Sequence, residues 1–125
     1  MIYLDTSTKS LQAVYDTNVS TTQGHLVCSY YDVPARTKTD FSDYLGGLHV
    51  TTTNNSTHVT ACPAPPQNVT RNIESFTWHN GDVTTVALVA LVKIDDAGTK
   101  RTIWGQPLVT TKTLQYEDGA GWSTA

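Results

Sequence analysis

Charge is scarce in this chain. Only 15% of its 125 residues are Asp, Glu, Lys or Arg, and 8 basic against 11 acidic side chains leave a net charge of −3. Neither a basic patch for nucleic acid nor a polybasic strip for anionic lipid is expected. Long apolar runs are missing too. The longest candidate, residues 83–94, is broken by Thr84 and Thr85 and carries Lys93, well short of the ~20 residues that cross a bilayer. The opening MIYLDTSTKS has no basic start followed by an apolar stretch, so a soluble chain made in the cytoplasm is expected. Cysteine is limited to Cys28 and Cys62. Two are too few for a disulfide framework, and reduced, buried thiols are preferred to a bridge.

Signatures of catalysis are absent as well. No GxxxxGK[ST], GxGxxG or GxSxG occurs, which removes the phosphate loop, the dinucleotide fingerprint and the nucleophile elbow. His49 and His58 fall on opposite arms of one predicted hairpin, but no third ligand lies at a helpful spacing, so no metal is expected. His25 has no evident partner, and His79 is expected to face solvent. Asp40, Asp43, Asp95, Asp96, Glu117 and Asp118 all sit in loops or turns, where short acidic side chains bond nearby backbone amides. Four Asn-x-Ser/Thr matches, at Asn18, Asn54, Asn55 and Asn68, read as Thr-rich strand ends. Neither an enzyme nor a cofactor is expected.

What is abundant is β-branched: 22 Thr and 12 Val, side chains that lose rotamer freedom in a helix and fit a pleated surface. No helical period appears, and turn signals recur at short intervals. The expectation is a single all-β domain, an antiparallel β-sandwich or jelly roll of about 7–9 strands. Leu11, Ala13 and Tyr15 share one face of a strand over residues 11–17; Leu26, Cys28 and Tyr30 share one over 25–33. Residues 34–47 form a long polar loop anchored by Phe41, Tyr44 and Leu45, and loops of that length are usually functional or mobile. Strands 48–53 and 57–62 flank Asn54-Asn55-Ser56 as a hairpin, ended by Pro63, Pro65 and Pro66.

Strand 69–78 runs into Asn80-Gly81-Asp82, the strongest hairpin signal in the chain. Strand 83–94 then carries Val86, Leu88, Ala90, Val92 and Ile94 on one face and Ala87, Val89 and Leu91 on the other, as a central or covered strand does. Asp95-Asp96-Ala97-Gly98 is the next turn. Gly105 and Pro107 interrupt the strand that follows it, and residues 108–116 complete the sheet. Trp78, beside the strongest strand, is expected in the core.

Three stretches carry a resemblance: MIYLDTSTKSLQAVYD at the start, TRNIESFTWHNGDVTTVALVALV in the middle and TLQYEDGAGW near the end. Together they resemble a group of small virion structural proteins of tailed bacteriophages, which share a start of the form LDT…SL, a hairpin with Asn and Asp at its turn and a closing L-x-Y-x-D-G-x-G-W. Residues 18–67 match nothing in that group, and its chains extend past the Gly-Trp pair. The resemblance implies a capsid decoration or cement protein, bound as a dimer or trimer to the outer surface of the major capsid protein shell. It implies no catalytic residues, no cofactor, and neither a nucleic acid nor a membrane partner. A tail, neck or fibre-base component is the alternative within the class, and a small carbohydrate-binding β module the alternative outside it.

The candidate interface residues come from three places. Ile2 and Leu4 lie in residues 1–10, either an arm donated to a neighbour's sheet or the first strand of the sandwich formed by 11–125. Phe41 and Tyr44 belong to the long loop. Trp104 and Trp122 are included because tryptophan anchors protein interfaces; an exposed Trp104 or Tyr44 would instead mark a sugar platform.

Overall fold

A chain that alternates apolar and polar residues buries its apolar set by forming sheets with one face inward. The computed structural model describes residues 1–34, 45–83 and 87–125, and among these it contains strands and no helix. The strands are β1 (Ile2–Leu4), β2 (Lys9–Tyr15), β3 (His25–Pro34), β4 (Leu45–Thr52), β5 (Val59–Cys62), β6 (Val69–His79), β7 (Ala87–Asp96), β8 (Thr99–Val109), β9 (Thr113–Glu117) and β10 (Gly121–Thr124). One sheet has the order β10-β9-β6-β3-β4, with β1 added beside β6; the second has the order β5-β2-β7-β8. Every pairing is antiparallel. The two sheets enclose one core, as a β-sandwich does.

The inward faces are those that the alternation marks. Leu11, Ala13 and Tyr15 of β2, Leu88, Ala90 and Val92 of β7, Leu26 and Cys28 of β3, and Ile73, Phe76 and Trp78 of β6 are all buried. Across the middle, Trp78 Nε1 donates to Tyr15 Oη at 2.9 Å, with ring centroids 4.9 Å apart. Gly24 lies against this pair. A Cβ there would come within 2.4 Å of Trp78 Nε1 and 2.7 Å of Tyr15 Oη, so nothing larger than glycine fits a core packed this closely. β7 is a central strand between β2 and β8; Leu88, Ala90 and Val92 are buried on its inward face, and Val89 and Leu91 are half-buried on the other.

Several connections differ from the sequence-based expectation. The N-terminal segment is the first strand of the sandwich. Ile2 and Leu4 pair opposite Ile73 and Arg71 and are 7% and 0% exposed in the protein's own core, which corrects their expected role as interface residues. β1 has a place there because β6 carries a bulge at Glu74. Pairing with β9 ends at Ser75, Asp118 N donates to the Glu74 carbonyl at 2.9 Å, and the remaining length of β6 is open to β1.

Asn80-Gly81 is not a two-residue hairpin, since β6 and β7 lie in opposite sheets. A type I′ turn needs positive φ at both central residues, and neither residue has it. Asn80 is buried instead, donating to the Leu108 carbonyl at 2.7 Å and accepting from Asp82 N at 3.0 Å. Asp82, also buried, accepts from Ser20 N at 2.6 Å and Thr21 Oγ1 at 2.9 Å. The segment is a polar corner that closes one end of the sandwich. Asn54-Asn55-Ser56 does turn tightly, with Asn55 at φ 52° and Thr57 N donating to the Asn54 carbonyl at 2.9 Å, yet β4 and β5 also belong to different sheets.

β8 runs unbroken through Gly105 and Pro107, because it is an edge strand and an edge tolerates a residue without an N–H. Residues 45–47, expected in the loop, open β4. Gly47 pairs with Tyr30, and a Cβ there would sit 2.4 Å from the Tyr30 ring; the glycine admits that ring. The Asp95–Gly98 turn is as expected: Asp96 pairs with Thr99 around two positive-φ residues, Ala97 at 52° and Gly98 at 96°.

Two outcomes are expected from this packing. Leu4→Ala should cost about 2–5 kcal/mol, the range for emptying a buried leucine site, measured by equilibrium urea denaturation. Burial, reinforced by the nearby Asp82 carboxylate, pushes the Tyr15 phenol up to about 12, whereas the unfolded chain titrates near the ordinary tyrosine value of about 10. Between those values the folded state keeps a proton that the unfolded state has lost, so stability falls as pH rises. The fall should be about 2–3 kcal/mol across that window, and Tyr15→Phe should abolish it in the same denaturation series.

Candidate functional site

Two apolar side chains of β4, Leu48 and Val50, lie on the outside. Cys28 of β3 points into the core, and its cross-strand partner is His49; Gly47, His49 and Thr51 therefore share the inward face, and Leu48, Val50 and Thr52 the outward one. Leu48 is 65% exposed and Val50 52%. His49 is held inside by its Nε2, 3.2 Å from the Thr60 carbonyl of β5. β4 is also an edge strand, so its backbone groups on the side away from β3 meet no other strand among the described residues. Aliphatic side chains turned outward on a free edge form a surface that soluble proteins usually cover or blunt. The signal was present in the sequence as Leu48-His49-Val50, but alternation alone does not say which face is the buried one.

Trp104 and Trp122 are brought together. β8 and β10 are edges of opposite sheets, and the two indoles stack across the gap with centroids 5.9 Å apart and an interplanar angle of 25°. Trp122 also meets the Tyr116 ring at 4.8 Å and the edge of Phe76 at 6.4 Å. Both tryptophans are half-buried. They spend ring faces on each other and close that side of the sandwich, instead of offering a coplanar pair to a sugar. Phe41 and Tyr44 lie outside the described residues.

The opposite lateral side is closed by an ion pair and two thiols. Arg71 of β6 is buried and faces inward. Its Nε donates to Asp32 Oδ1 at 2.8 Å and its Nη2 to Asp32 Oδ2 at 2.9 Å, the bidentate fork that suits a carboxylate. Nη1 donates to the Pro63 carbonyl at 2.8 Å, reaching the end of β5 in the other sheet. The guanidinium carbon lies 4.0 Å from the centroid of the Tyr30 ring. The Asp32 hydrogen bond raises Arg71 further above its ordinary value, so this is a permanent buried cation. Cys28 and Cys62 are both free and fully buried, and the Cys62 thiol donates to the Pro63 carbonyl at 3.7 Å.

The remaining candidates are dispersed. His25 and His58 are exposed, and His79 Nδ1 lies 2.9 Å from Thr113 Oγ1. Among the described residues no three His, Cys, Asp or Glu side chains are grouped to hold a metal. A shallow groove of about 450 Å³ separates Asp5, Thr6 and Ser7 from residues 67–70; it is lined by hydroxyls and amides, and its one acid, Asp5, is engaged by Lys9 at 2.7 Å.

Comparisons with protein-family models, with curated proteins and with solved structures found no match for this chain.

Removing one partner of the Arg71–Asp32 pair strands a buried charge. Asp32→Ala should cost about 3–5 kcal/mol, while replacing both residues by apolar side chains of similar volume should recover much of the loss. Thermal unfolding of the two single variants and the double variant measures the difference.

Proposed function

We propose that this chain is a non-catalytic adhesion module, a structural component of a tailed-bacteriophage virion, and within that class a decoration or cement protein on the outer surface of the major capsid protein shell. The observation that carries the reading is β4, which turns Leu48 and Val50 to solvent on an edge strand that, among the described residues, pairs on one side only. With a net charge of only −3, long-range attraction contributes little, and binding has to come from short-range apolar contact and main-chain pairing. Covering an aliphatic side chain of this size is worth about 1.5–3 kcal/mol. A modest patch of this kind becomes effective when a symmetric shell presents it with many equivalent sites and when the bound chain self-associates as a dimer or trimer. The resemblance of the two ends and the central segment to small virion proteins supports the choice of partner.

The test is occupancy on capsids prepared without this chain. The wild-type chain should bind saturably. Leu48→Asp combined with Val50→Asp should weaken binding by at least about 100-fold, the loss of two buried aliphatic contacts, with an unchanged circular dichroism spectrum because neither side chain is in the core. Undiminished binding of the double variant would reject the surface. A tail, neck or fibre-base location uses the same chemistry, and copy number separates the two: hundreds per particle for decoration, on the order of a dozen for a ring.

A further inference from the structure

Where β1 ends and β6 begins, two turns face each other across the groove of about 450 Å³. One wall is Asp5, Thr6 and Ser7, which lead into β2; the other is Gln67 and Asn68, which lead into β6. Both walls are restrained. Lys9 N donates to the Thr6 carbonyl at 3.2 Å, Thr8 Oγ1 to Asp96 Oδ1 at 2.6 Å, and Ala97 N to the Thr8 carbonyl at 3.2 Å. The first turn is thereby fastened to the turn between β7 and β8. The second follows Pro63, Pro65 and Pro66, whose rings fix their φ angles, and Asn68 turns the chain at φ 61°. A groove between restrained walls needs little ordering to receive a ligand.

Its chemistry narrows the choice of ligand. Among the described residues, the side chains of Ser7, Gln67, Asn68 and Thr70 engage no other group of the chain. Hydroxyls and amides supply donors and acceptors together, and none of these four is charged. The one carboxylate of the groove, Asp5, is paired with Lys9 at 2.7 Å, so no unpaired charge awaits a metal or a phosphate. Val69 is the single apolar lining residue, too little for a greasy ligand. An aromatic ring stands beside the groove: Tyr3, 46% exposed, two residues before Asp5. Its cross-strand partner Asn72 shares the outward face of β6 with Thr70. Asn72 is only 6% exposed, and its Oδ1 accepts no hydrogen bond. A buried acceptor without a donor is an exception in a folded chain; a ligand hydroxyl admitted by a swing of the Tyr3 ring would satisfy it.

We propose that this groove binds a short neutral oligosaccharide. The sugar hydroxyls exchange hydrogen bonds with Ser7, Gln67, Asn68 and Thr70, and the C–H face of one sugar ring packs on Tyr3, a side chain with an apolar body and a wet end. The groove is of the size that holds a small molecule, and its lack of unpaired charge selects a neutral sugar over an acidic one. The assignment does not rest on the adhesive role proposed above: the groove belongs to the ends of β1 and β6, whereas Leu48 and Val50 are on β4.

The test is an amide NMR titration of the isotope-labelled chain, in the absence of capsids, with α- and β-linked trisaccharides of glucose, galactose, mannose and N-acetylglucosamine. Sialyllactose, inorganic phosphate and a tri-threonine peptide are titrated alongside. Expected is saturable movement of the signals of residues 3–7 and 67–72 with at least one neutral trisaccharide, half-complete at about 1 mM or below. Tyr3→Ala should weaken binding by about fivefold or more, whereas Tyr3→Phe, which keeps the ring, should not. Gln67→Ala combined with Asn68→Gly, which keeps the positive φ and removes the amide, should weaken it by about tenfold. Circular dichroism spectra should be unchanged throughout. No response to any of the neutral trisaccharides would overturn the proposal, as would a response confined to Trp104 and Trp122. Binding only of sialyllactose, phosphate or the peptide would overturn the class of ligand, and undiminished binding by these variants would overturn the groove as its site.

Discussion

The contact on which the rest of this sandwich depends is the one between Trp78 and Tyr15. Each belongs to a different sheet, both are fully buried, and a hydrogen bond of 2.9 Å from indole to phenol satisfies the polar atom that each brings inside. From there the aromatic rings continue outward: Phe76 stands edge-on to Trp78 at 6.5 Å, Trp122 to Phe76 at 6.4 Å, and Trp104 stacks on Trp122 at 5.9 Å. Contacts of this kind are worth about 0.5–1.5 kcal/mol each beyond the area they bury. Because the row alternates between sheets only at its two ends, it holds their spacing both in the middle and at the β8–β10 side. Gly24 and Gly47 are where the backbone gives way to ring atoms.

The two lateral sides are therefore closed by different chemistry. On one, stacked indoles bridge β8 and β10. On the other, β4 and β5 come together over His49, the two thiols and the Arg71–Asp32 pair, all of which are polar or ionisable. On this second side β4 turns Leu48 and Val50 to solvent. With Gly47, His49 and Thr51 directed inward, the space beneath β4 has to be filled by the Tyr30 ring and by the hydrogen-bonded groups around it.

Legibility in the sequence was uneven in a physically intelligible way. The inward sets of β2, β3 and β7 were readable from alternation, as were the central position of β7 and the positive-φ turn at Ala97-Gly98. Asn80-Gly81 misled because the dipeptide is suited to a tight turn only when the flanking strands pair with each other; here Asn80 and Asp82 direct their side chains to Leu108, Ser20 and Thr21, residues remote in the chain. Gly46, Gly47, Gly105 and Pro107 read as breaks because local propensity sees a missing side chain or a missing N–H, whereas an edge strand loses little by either. The stacking of Trp104 on Trp122 had no sequence signal at all.

By itself the sequence determined the class of structure and most of its inward faces, since the period-two projection of side chains is a property of the extended backbone and is the same wherever a strand ends up. Only the tertiary structure decided which sheet each strand joined, that β1 belongs to its own core, and that Leu48 and Val50 of β4 face outward. Those outcomes depend on contacts between residues far apart in the chain, where the burial gained by the whole assembly outweighs the preference of any one turn.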